Sequence, residues 1–88
     1  MAQTVAQVLT AATDSVTLIN GVNGGTHYVT GLTQAKINEM VQQNVDHLTT
    51  ILSYDSSMEG VPNIADASDD KSSYTTAITT GNAYIAAN

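Results

Sequence analysis

The chain has 88 residues, 11% of them charged, and eight Asp and Glu against two Lys and Arg give a formal net charge of −6. This length suits one small domain over residues 1–88, whose folding buries only roughly 60–65% of the unfolded chain's surface, so a partner would add stability. Two cations are too few to neutralise a phosphate backbone or to dock on an anionic membrane, which excludes direct nucleic-acid binding and membrane binding. The chain has no cysteine, so it has no thiolate chemistry.

The first predicted element is an amphipathic helix over about residues 4–20. Its apolar residues recur at helical spacing along one face, and Thr4 and Gln7 have the spacing of a capping box. Asn20-Gly21 marks its end, because both residues accept left-handed backbone angles. Asn-Gly between β-branched runs is also a strong turn signal, so a hairpin or short extended segment over about residues 16–30 is the alternative.

The second predicted helix covers about residues 34–54 and has one apolar face. Thr33 is a good N-cap for it. Asn44 lies near the middle of the apolar face, where an unpartnered buried amide costs about 1–3 kcal/mol. Two partners fit: Asn44 of a second copy, as single Asn residues do in coiled coils, or a loop carbonyl of the same chain.

An acidic linker follows over residues 55–68 and is too polar to be core, although Val61 and Ile64 could pin it down. Read as a twelve-residue loop, it resembles a calcium-binding EF-hand at its first, third, fifth, sixth and last positions: Asp55, Ser57, Glu59, Gly60 and Asp66. It departs from that pattern because Asp66 replaces the long bidentate Glu and Pro62 removes a backbone N–H. We therefore expect a solvated linker without a metal.

The third predicted helix covers about residues 69–87. Asp69 and Asp70 at its start favour the positive end of the helix dipole. Ala77 and Gly81 lie one turn apart on its apolar face and would let another backbone approach closely. Together the three segments predict an all-α, three-helix domain.

Neither histidine is placed for catalysis by the sequence. His27 lies in a turn-rich region and His47 at the edge of an apolar face, and no nucleophile elbow, oxyanion loop or phosphate-binding loop accompanies them. The carboxylates concentrate in the solvated linker, which lacks the burial that raises a pKa for acid–base work. We expect no enzyme, no catalytic residue and no cofactor.

The function class that remains is binding to other proteins. Tyr54 is the best candidate for an exposed aromatic contact, and Asn44 is placed to set the register of a helix pair. We expect protein partners, with a homo-oligomer among them. The candidate interface residues are Ile37, Val41, Asn44, Leu48, Tyr54, Ala77 and Gly81.

Two stretches, Gln43–Leu52 and Ser73–Asn88, resemble small uncharacterised proteins of tailed bacteriophages, including marine and cyanobacterial ones. The resemblance lies in short phrases and carries no motif with chemistry, so it transfers no functional residue. It implies a phage-encoded, virion-associated protein. The sequence shows no signal peptide and no apolar run near the ~20 residues of a transmembrane helix, so we expect synthesis in the host cytoplasm.

Two functions fit these expectations. The first is a non-enzymatic structural or assembly protein, such as a capsid decoration, head–tail accessory or tail-associated subunit, that docks through helix faces. The alternative is a small acidic anti-defence protein that inhibits a host nuclease by charge mimicry or sequesters a signalling nucleotide. Its acidic groups crowd into and beside one linker: Asp55, Glu59, Asp66, Asp69 and Asp70.

Overall fold

The computed structural model describes residues 3–88, and within that range it contains three α-helices and no strand. The helices are α1 (Val5–Gly24), α2 (Gln34–Leu52) and α3 (Ser72–Ala87). Each helix packs against both of the others. The predicted all-α class with three helices is confirmed.

α1 and α3 run in the same direction, and α2 runs against both. Gln34 at the start of α2 donates a hydrogen bond to the Tyr84 hydroxyl near the end of α3. Gly81, also late in α3, lies beside Ile19 in the C-terminal half of α1. The bundle is therefore up-down-up and has two different ends: one carries the α1–α2 connection and the other the longer α2–α3 connection.

The capping box predicted for α1 is confirmed, but the helix is longer than predicted. The Gln7 N–H donates to the Thr4 hydroxyl at 3.1 Å, and the Thr4 N–H donates to the Gln7 side-chain oxygen at 2.9 Å. The helix continues to Gly24 and ends on Gly25, whose φ of 78° is left-handed. The hairpin alternative over residues 16–30 is wrong, because a helix that runs to Gly24 can bury Val22 beside the rest of the apolar stripe.

The other two helices also differ from prediction at their ends. α2 stops at Leu52, two residues early, and its N-cap Thr33 accepts a hydrogen bond from the Lys36 N–H as expected. α3 begins at Ser72, three residues late. The Asp70 carboxylate lies before the first turn and accepts a hydrogen bond from the Ser72 N–H at 2.9 Å. The acidic pair therefore precedes α3 instead of forming its first turn.

The α2–α3 connection contributes a residue to the core. Ile64 is completely buried, as are Val41 and Leu48 of α2. The backbone N–H groups of Ile64 and Ala65 both donate to the Tyr54 carbonyl, at 3.0 and 2.8 Å. The linker is therefore polar only in part, and the expectation that Ile64 pins it to the bundle is confirmed. No helix within residues 3–88 has the length and apolar character that crossing a bilayer requires.

Candidate functional site

Most of the predicted interface residues face the chain's own interior. Five of the seven are buried in the bundle: Ile37, Val41, Leu48, Ala77 and Gly81. Tyr54 and Asn44 are half-buried. The three helices cover one another's apolar faces, so these five residues are not exposed on the surface of the folded chain.

The close approach predicted at Ala77 and Gly81 occurs inside the chain. A Cβ atom built on Gly81 would lie 2.5 Å from the Val45 Cγ2 atom and 3.3 Å from the Val41 Cγ1 atom. Only a residue without a side chain lets α3 come this near to α2. The small residues therefore serve the packing of one molecule.

Asn44 has partners that the sequence did not indicate. Its amide nitrogen donates to the Met40 carbonyl of its own helix at 2.8 Å. Its side-chain oxygen accepts from the Ser15 hydroxyl of α1 at 2.9 Å, and the same hydroxyl lies 2.9 Å from His47 Nδ1. Within its own chain, Asn44 thus bonds a carbonyl of its helix and the Ser15 hydroxyl rather than a loop carbonyl. The missed residue, Ser15, recurs at helical spacing with Ala12 on the buried side of α1, which was the signal for it.

The hydrogen-bond donors and acceptors of Asn44 indicate where the protons of this polar cluster lie. The Asn44 amide nitrogen points at a carbonyl, so its other side-chain atom is an acceptor, and the Ser15 proton is directed to it. His47 Nδ1 must then carry a hydrogen and donate to the Ser15 oxygen. A histidine with its proton on the facing nitrogen cannot accept a proton from that serine. The cluster ties α1 to α2 through the Ser15–Asn44 and Ser15–His47 contacts.

We expect Ser15→Ala to lower the free energy of unfolding by about 1 kcal/mol, because the half-buried Asn44 oxygen loses its donor while exposed His47 can turn to water. The double variant Ser15→Ala, Asn44→Leu removes both partners and should recover most of that loss. Urea unfolding measures both values, with exposed Thr17→Ala on α1 as the control. A double variant less stable than Ser15→Ala would contradict this account.

The connection at one end of the bundle, residues 25–33, has no Asp, Glu, Lys or Arg. We call this connection the neutral end. Tyr28 is 80% exposed there and Leu32 45% exposed, two of the three large apolar side chains that stand out from the surface of residues 3–88. The first charged residues after it in the sequence, Lys36 and Glu39, form an ion pair at 3.4 Å, so their charges cancel.

The backbone around Tyr28 is fixed on both sides. The N–H groups of Thr26 and His27 both donate to the Gly21 carbonyl, at 2.8 and 3.0 Å. After Tyr28, the Leu32 N–H donates to the Val29 carbonyl at 3.0 Å, in a turn that needs the left-handed φ of 88° at Gly31. Val29 itself packs on the core. The Tyr28 ring is therefore held out from an ordered loop.

The opposite end is strongly acidic. We call residues 53–71 the acidic end, and it carries five of the eight carboxylates of the chain. Its lysine, Lys71, does not compensate them, because its ammonium donates to the Ala67 carbonyl at 2.6 Å and the Asp69 carbonyl at 3.4 Å. Negative charge is thus concentrated at one end of a molecule 40 Å long.

Three carboxylates of the acidic end accept hydrogen bonds from residues close to them in the sequence. Hydrogen bonds from the Ser57 hydroxyl and backbone N–H lower the pKa of Asp55, and those from the Ser72 backbone N–H and hydroxyl lower the pKa of Asp70. Asp66 instead bonds Asn63 through its backbone N–H and its carboxylate, at 3.1 and 3.0 Å. Across residues 3–88, no three carboxylate or histidine side chains converge as metal ligands would.

These two ends are the surfaces that distinguish the molecule. No protein-family model, curated protein sequence or solved structure matches the chain. Its function is therefore inferred from its own residues: an ordered, uncharged end with an exposed aromatic ring, and a solvated acidic end.

Proposed function

We propose that this protein is a non-enzymatic assembly subunit of a phage particle and that it associates with further copies of itself through the neutral end. The observation that carries the proposal is Tyr28, a large aromatic side chain that is 80% exposed on an ordered, uncharged loop. Helix-face docking, the mode expected from the sequence, is replaced by loop docking, because the apolar faces are already packed together.

Tyr28 has the properties of an interface anchor. Tyrosine is enriched among the few residues that carry most of the binding energy of protein interfaces, because its ring buries a large area and loses few rotamers. The loop around it is already hydrogen-bonded, so little conformational freedom is left to lose on docking. Leu32, four residues on, adds a second apolar contact.

Charge favours a second copy approaching at this end. Each copy carries a formal net charge of −6, so two copies repel when their acidic ends meet. With 0.15 M salt the screening length is about 8 Å, much shorter than the 40 Å of the molecule. Contact through the neutral ends keeps the acidic ends far apart and in water, where they keep the assembly soluble.

The phage setting of the proposal follows the resemblance of residues 43–52 and 73–88 to small proteins of tailed bacteriophages. In that setting the protein is a capsid decoration, a head–tail accessory or a tail-associated subunit in the virion. Such a subunit repeats many times in a particle, and self-association through one uncharged end suits that repetition. Mass spectrometry of purified particles should then find the protein in a fixed ratio to the major coat protein.

We expect light scattering after gel filtration to show a homo-oligomer of the wild-type chain at both about 0.1 M and about 1 M salt, where the screening length is roughly 10 and 3 Å. Apolar contacts do not weaken with salt, and residual repulsion between acidic ends falls. The double variant Tyr28→Ser, Leu32→Ser should be a folded monomer at both concentrations.

The matched control is Met58→Ser, which removes an exposed apolar side chain of similar accessibility, 41%, from the acidic end. It should leave the oligomer intact. A wild-type monomer at both salt concentrations, or an oligomer that survives Tyr28→Ser, Leu32→Ser and dissociates with Met58→Ser, would overturn the proposed interface.

The acidic end favours a second candidate, the anti-defence protein that imitates nucleic acid. Five carboxylates lie in this end, and the lowered pKa values of Asp55 and Asp70 keep these two charged to a lower pH than an ordinary aspartate. Such a protein should work as a monomer and bind a basic host protein with an affinity that falls steeply as salt rises. A salt-resistant oligomer in the experiment above favours the first candidate over this one.

A further inference from the structure

A groove of about 340 Å³ lies between the first half of α1 and the start of α3. Its volume is at the lower end of the range of small-molecule and side-chain binding pockets, about 300–1,000 Å³. The α1 side contributes Ala6, Leu9, Thr10 and Thr13, and the α3 side contributes Asp69, Asp70 and Tyr74. The walls are therefore partly apolar, partly hydroxyl-bearing and acidic at one side.

Tyr74 points to an occupant of this groove. Its side chain is more than nine-tenths buried, with 8% exposed, yet its hydroxyl has no hydrogen-bond partner within residues 3–88. Over the same residues no buried polar side-chain atom lacks both a partner and access to solvent, so this hydroxyl keeps access to solvent, and Tyr74 lines the groove. A buried tyrosine ordinarily bonds its hydroxyl within the protein, and here the hydroxyl is left to water or to a polar group of a ligand.

The negative charge of the groove favours a positively charged occupant. Asp69 and Asp70 take part in no ion pair among the described residues. Lys71, next in sequence, donates to the backbone carbonyls of Ala67 and Asp69 and leaves the carboxylates uncompensated. Asp70 accepts hydrogen bonds from Ser72, which leave its negative charge unpaired beside the groove. A cation is the complementary group.

We propose that this groove binds a basic side chain, lysine or arginine, of a protein partner. Ala6, Leu9 and the edge of the Tyr74 ring contact the aliphatic stem, while Asp69 and Asp70 receive the charged head. Lysine and arginine bury their methylene stems on apolar surface and keep the head in a polar setting, which is the division that this groove offers. The site is at the opposite end of the bundle from Tyr28 and does not depend on self-association there.

The test uses blocked tripeptides, acetyl-Gly-Lys-Gly-amide and acetyl-Gly-Arg-Gly-amide, titrated into the ¹⁵N-labelled full chain at low salt. We expect saturable shifts of the Thr10, Thr13 and Asp69 amide signals, with a dissociation constant in the range of roughly 1–10 mM. The comparison peptide has norleucine in the central position, which keeps the stem and lacks the charge. It should bind about tenfold more weakly.

Two variants test the residues named. Asp69→Asn, Asp70→Asn should weaken peptide binding about tenfold and leave the chain folded, because the side-chain oxygen of an asparagine at position 70 can also accept the Ser72 N–H. The control Glu39→Gln, Asp46→Asn removes the same charge from α2, outside the acidic end, and should change binding less than twofold. Tyr74→Phe should weaken binding about twofold to threefold with the thermal midpoint unchanged, since the hydroxyl has no internal partner to lose.

Equal binding of the norleucine peptide would overturn the proposal, because the groove would then be a merely apolar surface. Equal loss of binding in the groove variant and in the control would also overturn it, because only the net charge of the chain would matter. Binding of a free diamine such as putrescine without binding of either peptide would exclude a side chain of a protein as the occupant.

Discussion

Ile64→Ala is expected to lower the free energy of unfolding by about 2–5 kcal/mol, the range found for removing a fully buried aliphatic side chain. A domain of this length has a total stability of roughly 4–13 kcal/mol, so the loss is a large part of it. Ile64 is completely buried although it belongs to the connection between α2 and α3. Its side chain joins the core residues of the three helices from the loop.

The control for this variant is Val61→Ala in the same connection. Val61 is only half-buried, so we expect a loss below about 1.5 kcal/mol. Urea unfolding measures both, and hydrogen exchange of the Ala65 amide, which donates to the Tyr54 carbonyl, reports whether the loop has detached. If Ile64→Ala cost no more than Val61→Ala, the loop would not be part of the core.

The loop that Ile64 anchors also carries the acidic end and one wall of the groove. Asp69 and Asp70 lie on the chain between Ile64 and the start of α3, so their positions depend on both anchors. Loosening the loop would let the carboxylates spread apart in water, which lowers the local negative potential. Burial of the Ile64 side chain therefore helps to keep the carboxylates of the acidic end close together.

The sequence predicts the three helices because periodicity and capping are local signals. Thr4 with Gln7, and Thr33, are read from neighbouring residues alone, and the structure bears them out. Asn20-Gly21 is also local but ambiguous, since it fits a turn or a helix interior near its end. Burial of Val22 on the core, which is a tertiary effect, extends α1 to Gly24.

The predicted docking faces show that helical periodicity does not identify the partner of a buried face. An apolar stripe such as Val41 and Leu48 predicts that a helix face is buried, but it does not predict which surface covers that face. In a three-helix bundle each stripe can be covered by the two other helices, and here it is. Tyr28 became visible as a candidate only through its 80% exposure, and the groove only through the approach of Tyr74 to α1, which no local pattern encodes.

Gly81→Ala is expected to destabilise the protein by about 1–3 kcal/mol, the reverse of the usual effect of this change within a helix. Alanine ordinarily stabilises a helix interior by about 1 kcal/mol relative to glycine. At this position the added Cβ atom would lie 2.5 Å from the Val45 Cγ2 atom and 3.4 Å from the Ile19 Cγ2 atom. Val45 and Ile19 are β-branched and buried, so neither can turn away cheaply.

A matched control and a rescue separate crowding from helix propensity. Gly24, the last residue of α1, has nothing within 4 Å of a built Cβ and no positive φ, so Gly24→Ala should leave stability unchanged or raise it by up to about 1 kcal/mol. Gly81→Ala should cost at least about 1 kcal/mol less in a Val45→Ala background than in the wild type, because Val45→Ala removes the atom in the way. Equal costs in the two backgrounds would show that α3 does not rest on Val45. A favourable coupling would show that the spacing of α2 and α3 is set by the absence of one side chain at residue 81.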